Sequence, residues 1–257
     1  MNPKEDQARA IRAACLTRAG RRQAGLGMIE LLVVMLISLL MLMGLFSIVY
    51  GSRNNYLAQN QLGQLQDSER LAMSELTNIV QTGGYFPNPT TTTATAALPA
   101  GTSATVVWAG GQALSGAAGD QIYVRYAAGA TDGVMDCNGQ TNTSGATATE
   151  INTFYVNGSQ QLVCQVFVNG VAASAAQPLV NGVTAMAVLY GVDTNADFSA
   201  DRYMTAAQVT AATAWNSVVS VRITLTFANP LTGAAAPGAG AAPLPTLTRT
   251  IDLLNKS

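Results

Sequence analysis

Three groups of side chains in this sequence have the types and the spacing that chemistry requires. Glu30 is a lone carboxylate at the start of an uncharged apolar run, where burying an unpaired charge is costly. Cys137 and Cys164 form an even pair that can be oxidised to a disulfide, with two buried thiols as the alternative. The third group spaces oxygen ligands at mostly alternate positions, as the opening of a calcium loop does. Its members are Asp193, Asn195, Asp197 and Asp201.

The calcium pattern departs from a complete EF-hand loop at two places. Phe198 stands where that loop needs glycine, and Met204 stands where it needs a bidentate glutamate. The alternative is an Asx-rich turn before a short helix predicted over 205–215, because Asp and Asn side chains in turns hydrogen-bond the neighbouring backbone. We favour the turn, and calcium is the one cofactor that the sequence leaves open.

The composition argues against an enzyme. The chain contains no histidine, so neither a Ser-His-Asp triad nor a Cys-His pair can form. No glycine-rich stretch matches a P-loop. Only 11% of the residues are charged, and such a surface suits packing against other subunits better than free solution. We therefore expect a protein that assembles with others and has no catalytic site.

The element that positions Glu30 is one long predicted helix with two different halves. Residues 31–50 carry no charge and no proline, and at about 1.5 Å per residue they match the roughly 30 Å hydrocarbon core of a bilayer. Residues 51–82 also lack proline, and apolar side chains recur there mostly every three or four positions, which predicts an amphipathic continuation. These apolar positions are Leu57, Leu62, Leu65, Ala72, Met73, Leu76, Ile79 and Val80. Gly83-Gly84 should end a helix about 85 Å long, far longer than a globular core needs.

Charge is distributed unevenly along the chain. Residues 1–25 carry six basic and two acidic side chains, whereas the remainder carries seven basic and twelve acidic ones. The basic end should stay on the cytoplasmic side of a membrane, which sends the C-terminal part across it. The acidic remainder argues against direct binding to nucleic acid, which needs clustered Lys and Arg.

The N-terminal motif resembles that of the type IV prepilins. It consists of Arg21 and Arg22, then Gly25, then an apolar segment with Glu30 five residues after the glycine. The resemblance implies that a prepilin peptidase cleaves after Gly25 and N-methylates the new first residue, Leu26, although Phe or Met is usual there in the family. It also implies that Glu30 pairs with the free amine of a neighbouring subunit, so that two charges that are costly alone become tolerable together. An ordinary signal anchor with an incidental glutamate is the alternative.

The remaining chain predicts an antiparallel sheet packed on the second half of the helix, which is an α+β fold. Alternating or continuous apolar runs predict the strands, and Asn157-Gly158 predicts a two-residue type I′ hairpin turn between two of them. The predicted strands are 121–126, 151–156, 162–168, 183–190, 219–227 and 247–254.

Two stretches are predicted to be loops. They are 88–119, with one short strand at 106–108, and 228–246. The predicted organisation then has four parts. These are a basic leader that is removed (1–25), the membrane half of the helix (26–50), its amphipathic half (51–82) and a periplasmic β-rich domain (83–257).

Longer patterns in the mature chain resemble the PilW group of minor pilins. They are 52–85, 132–137, 162–164, 179–183, 190–193 and 215–223. The resemblance implies an inner-membrane protein with a periplasmic domain that joins other minor and major pilins, primes assembly of a type IV pilus, and lies at or near its tip. It would support twitching motility or adhesion, with a tip adhesin as a further partner. Two rivals are a minor pseudopilin of a type II secretion system and a membrane-anchored adhesin or calcium-binding module outside any filament.

Overall fold

The computed structural model describes residues 27–117, 120–231 and 244–255. They form an α+β chain, as the sequence predicts, with one long helix followed by antiparallel strands. The chain divides after Asn55 into two compact units. The long helix therefore contributes its first half to one unit and its second half to the other.

Helix α1 extends from Met28 to Thr82 and contains 55 residues. It begins where the backbone N–H groups of Glu30 and Leu31 both donate to the carbonyl oxygen of Gly27, at 2.9 and 3.2 Å. Every residue from Met28 to Tyr50 is exposed. Among the residues that the structure describes, α1 is the one helix long and apolar enough to cross a membrane. Its first half is therefore compatible with membrane anchoring.

The end of α1 belongs to the core of the second unit. The buried side chains recur every three or four positions, as predicted, and they are Ala72, Met73, Leu76, Ile79 and Val80. Leu65 is half-buried against the same core, whereas Leu57 and Leu62 stay 57% and 40% exposed. Periodicity shows which face of a helix is apolar but not how much of its length a domain covers.

The predicted glycine stop ends α1. The N–H group of Gly84 donates to the carbonyl oxygen of Arg125 at 2.9 Å, so the chain passes from the helix to the sheet. Gly84 has a φ of +80°, in the left-handed region that favours glycine. A Cβ at Gly84 would also meet Ala113 and the carbonyl oxygen of Asn255 at 3.2 Å. Both the backbone conformation and the space therefore require glycine at this place.

After α1 the described residues form twelve strands in three antiparallel sheets. The strands are β1 (Gly101–Ser103), β2 (Val106–Trp108), β3 (Leu114–Ala117), β4 (Gln121–Ala128), β5 (Ala148–Val156), β6 (Gln161–Val168), β7 (Val171–Ala172), β8 (Gln177–Asn181), β9 (Val183–Val192), β10 (Arg202–Met204), β11 (Val218–Phe227) and β12 (Thr246–Asp252). The largest sheet has the order β3-β4-β5-β6-β7, with β8 also paired to β6, and the second has the order β10-β9-β11-β12. One core contains side chains from α1 and from both of these sheets.

Each predicted strand is present, but the predicted loop over 88–119 is wrong in large part. It contains helix α2 (Ala94–Ala97) and strands β1, β2 and β3. Leu98 packs on Ala127, and Trp108 packs on Tyr123 and Ile151. This segment covers the second face of β4, which explains why β4 is buried from Ile122 to Ala128 and does not alternate.

The predicted hairpin turn between β5 and β6 is also corrected. The β5–β6 hairpin has a four-residue loop, and its left-handed residue is Gln160, with a φ of +57°, so the predicted two-residue type I′ turn at Asn157-Gly158 is wrong. The carbonyl oxygen of the Asn157 side chain accepts the N–H groups of Ser159 and Gln161 at 3.0 Å, which fixes this longer turn.

The predicted helix over 205–215 is shorter in the structure. Helix α3 spans Ala206–Ala211 and begins at a capping box between Thr205 and Gln208. A separate 3-10 turn, Trp215–Ser217, follows it. The sequence prediction therefore placed this helix in the right segment but overestimated its length.

Candidate functional site

Glu30 lies in the first turn of α1, and its side chain is exposed. A carboxylate is favoured at that place, because the first N–H groups of a helix have no intrahelical partner and its dipole is positive there. The adjacent side chains of Ile29 and Leu31 are apolar and 77% and 49% exposed. The carboxylate therefore interrupts an apolar surface and would need a cation if that surface were buried. Gly25 and Leu26, the predicted cleavage site, lie outside the described residues.

The loop over residues 193–201 uses Asp193 to hold its own backbone. Oδ1 of Asp193 accepts the N–H groups of Asn195 and Ala196 at 3.0 and 2.7 Å, and Oδ2 accepts that of Phe198 at 2.8 Å. Burial opposes ionisation of Asp193, but the backbone N–H groups prevail and lower the pKa of its carboxyl below the usual value. Asp193 thus acts as the cap of a turn.

The other members of the predicted calcium group are engaged in the same turn. Asp201 accepts the hydroxyl and the backbone N–H of Thr194 at 2.6 and 2.7 Å, and these bonds lower the pKa of its carboxyl. The amide of Asn195 donates to Asp197 at 3.1 Å. In the part of the chain that the structure describes, no group of three or more His, Cys, Asp or Glu side chains could hold a metal ion. These contacts are those of an Asx-rich turn, and calcium binding stays a prediction.

The structure contains the predicted disulfide between Cys137 and Cys164. The two residues are separated by 27 positions, their Cα atoms are 6.4 Å apart, and both are buried. Cys164 lies in β6, whereas Cys137 lies in the irregular connection between β4 and β5. The N–H group of Cys137 also donates to Oδ1 of Asn152 at 2.8 Å. The disulfide and this hydrogen bond fasten the connection to the largest sheet.

A buried carboxylate lies beside this connection. Glu150 of β5 stands opposite Tyr126 of β4, and the tyrosine hydroxyl donates to its Oε2 at 2.7 Å. Burial raises the pKa of Glu150 and also that of Tyr126. This hydrogen bond satisfies two polar groups between β4 and β5, so the pair stabilises the sheet.

Arg125 is the important side chain that the sequence analysis missed. It is 3% exposed, and its guanidinium donates to the carbonyl oxygens of Pro99, Ala109 and Gln112, each at 2.9 Å. The guanidinium also lies over the ring of Trp108, 4.5 Å from its centroid. Burial lowers its pKa to about 10. Arg125 therefore ties the polypeptide before β3 to β4.

Replacing Arg125 with methionine is expected to lower the free energy of unfolding by about 3 to 5 kcal/mol. Methionine retains much of the volume but leaves buried carbonyl oxygens without donors. Denaturant unfolding of the detergent-solubilised chain, followed by tryptophan fluorescence, measures the loss. Arg222→Met is the matched control, because that guanidinium lies over Tyr203 on a partly exposed face and should cost under about 1 kcal/mol. Equal losses for the two variants would contradict the assignment.

One comparison with known proteins gives a match. Residues 145–252 match the family model described as Type IV Pilus-assembly protein W. The matched part is less than half of the chain, and it extends from just before β5 to the end of β12. No curated protein matches the chain. The family match supports identification of the chain as a PilW-type type IV pilus protein with a part in pilus assembly.

Proposed function

We propose that the chain is a minor pilin that primes assembly of a type IV pilus, lies at or near its tip, and supports twitching motility or adhesion. The observation that carries the proposal is the first half of α1, which is apolar and exposed from Met28 to Tyr50. An exposed apolar surface of this extent requires lipid or other apolar helices around it. A filament subunit is surrounded by lipid before assembly and by the apolar helices of other subunits afterwards.

In this proposal Glu30 determines which neighbouring subunit α1 binds during assembly. Before assembly, the first half of α1 lies in the inner membrane and the C-terminal domain of the chain lies in the periplasm. Cleavage after Gly25 exposes the amine of Leu26. Glu30 of one subunit attracts that amine on another, because each charge is costly alone in an apolar medium and the pair is tolerable. Entry into the filament then replaces lipid contacts with contacts between the helices of minor and major pilins.

The family match favours a pilus over a type II secretion system, because the matched family is described by pilus assembly. The N-terminal motif does not separate these two, since pseudopilins share it. Deleting the gene is the test: we expect loss of surface pili and of twitching, both restored by a plasmid copy. Loss of protein secretion with normal pili would identify a pseudopilin instead. No change in either would favour an anchored module outside a filament.

Replacing Gly25 with alanine or a larger residue is expected to abolish processing. The full-length chain of 26.6 kDa would then accumulate, because the side chain would obstruct the peptidase at the bond that it cleaves. The mass of the chain on an immunoblot measures this. Gly27→Ala is the matched control, because it adds the same methyl group two residues after Gly25 and leaves the cleaved bond unchanged, and it should be processed normally. An unchanged mature mass in the Gly25 variant would refute the cleavage site.

A further inference from the structure

A groove of about 990 Å³ lies beside the end of α1 in the second unit. Leu71 and Glu75 of α1 line one side, and Met135, Asp136 and Leu254 line the rest together with their neighbours. The three large apolar side chains, Leu71, Met135 and Leu254, are 49%, 58% and 69% exposed. They come from three separate parts of the chain and surround one concave surface that solvent reaches.

The open rim of the groove fits a polypeptide segment better than a small molecule. Small-ligand pockets have volumes of about 300 to 1,000 Å³ and enclose most of the ligand surface. This groove is at the upper end of that range, and the apolar side chains at its rim are largely exposed. Clustered exposed apolar side chains are typical of surfaces that bind another protein.

The groove is also acidic. Glu75 is half-buried on α1, Asp136 lies in the connection between β4 and β5, and both line the groove. Among the described residues that line the groove there is no lysine or arginine. A partner that fills the apolar part would therefore gain further by placing a cation near these carboxylates.

The wall that carries Met135 and Asp136 is held in place before any partner arrives. Oδ1 of Asp136 accepts the N–H groups of Asn138 and Gln140 at 2.8 and 2.9 Å. The next residue, Cys137, is fixed by its disulfide to β6. A preformed groove loses less conformational entropy on binding than a loop that must become ordered.

We propose that this groove binds a segment of another pilus subunit that presents a large apolar side chain next to a lysine or arginine. The apolar side chain lies between Leu71 and Met135, and the cation lies near Glu75 and Asp136. The assignment of the partner to the pilus rests on the proposed function, whereas the chemistry of the segment rests on the groove alone.

Photo-crosslinking of the full chain in cells that make pili tests the proposal. With benzoylphenylalanine in place of Met135, irradiation should join the chain to another pilus subunit. Mass spectrometry should show that the joined peptide has an apolar residue within one helical turn of a lysine or arginine. Val107 and Val171, 77% and 71% exposed and outside the groove, are matched positions that should give about tenfold less product.

A charge reversal distinguishes the proposed contact from nonspecific hydrophobic binding. Glu75→Lys should lower the yield from position 135 by about tenfold, because like charges facing each other across an interface repel strongly. Glu69→Lys, on the same helix but outside the groove, should leave the yield unchanged.

Four outcomes would overturn the groove proposal. They are a yield at position 135 no higher than at the matched positions, a joined peptide without a cation, a product confined to the chain itself or to a second copy, and no effect of Glu75→Lys.

The presence of the chain in sheared pili is scored in the same cells. Its absence there contradicts the proposed function, whereas its presence without a groove-specific product overturns the groove alone. A groove-specific product in cells whose pili lack the chain overturns the assignment of the partner to the pilus.

Discussion

Replacing Glu30 with alanine is expected to reduce the amount of the chain in sheared pili by about tenfold or more, with cleavage after Gly25 unaffected. Without the carboxylate, the amine of a neighbouring subunit would enter the apolar helix bundle unpaired. That burial costs several kcal/mol, and a tenfold change in incorporation needs only about 1.4 kcal/mol. Immunoblots of sheared pili and of membranes measure the distribution of the chain between the two.

The matched control is Glu69→Ala, which removes a carboxylate from the same helix beyond its apolar half. This variant should enter pili at the normal level. The Glu30 variant should remain in the membrane fraction at its mature mass, because the leader and the cleavage site are intact. Recovery of that variant from sheared pili at the normal level would refute the role of Glu30 in assembly.

Replacing both Cys137 and Cys164 with alanine is expected to lower the free energy of unfolding by about 3 to 4 kcal/mol. In the chain-entropy model, the disulfide restricts the unfolded chain over the 27-position separation of its cysteines. The connection that carries Cys137 is irregular, so loss of the bond should also loosen one wall of the groove. Denaturant unfolding of the detergent-solubilised chain, followed by tryptophan fluorescence, measures the stability.

Reductant provides the control for the disulfide. It should destabilise the natural chain by a similar amount and have no effect on the variant with two alanines. A loss below about 1 kcal/mol would show that the connection is held mainly by its other contacts, such as the hydrogen bond from Cys137 to Asn152. A loss of the expected size would show that an oxidising compartment is needed for full stability of the domain.

Local patterns predicted much of the fold because apolar side chains recur at different spacings in helices and in strands. The spacing of Ala72, Met73, Leu76, Ile79 and Val80 identifies the buried face of α1, and the glycine pair marks its end. The period of two over β11 likewise predicts its buried face. The cysteine pair was predicted from number and compartment alone, since three cysteines leave two outside the leader.

The parts that were not predicted depend on contacts between distant segments. Arg125 lies in an apolar strand pattern, and nothing near it in sequence shows that its donors meet the carbonyl groups of Pro99 and Ala109. For the same reason, the segment before β3 was predicted as a loop although it covers β4. The acidic groove was also missed, because Glu75 and Asp136 are brought together only by the fold.

Phe198 shows a different limit of pattern matching. It has a φ of +65°, so it adopts the left-handed backbone conformation although it is not glycine. Its N–H group donates to Asp193, which compensates for the unfavourable conformation. The departure from an EF-hand therefore did not abolish the turn, and calcium binding stays a prediction.

The most direct test of the proposed function is the mass of the chain's N-terminal peptide in sheared pili and in inner membranes. We predict that pili contain the chain, that it begins at Leu26, and that this residue carries one methyl group. The chain should be much less abundant there than the major pilin. A chain found only in membranes, or one that still begins with the basic leader, would contradict its function as a minor pilin.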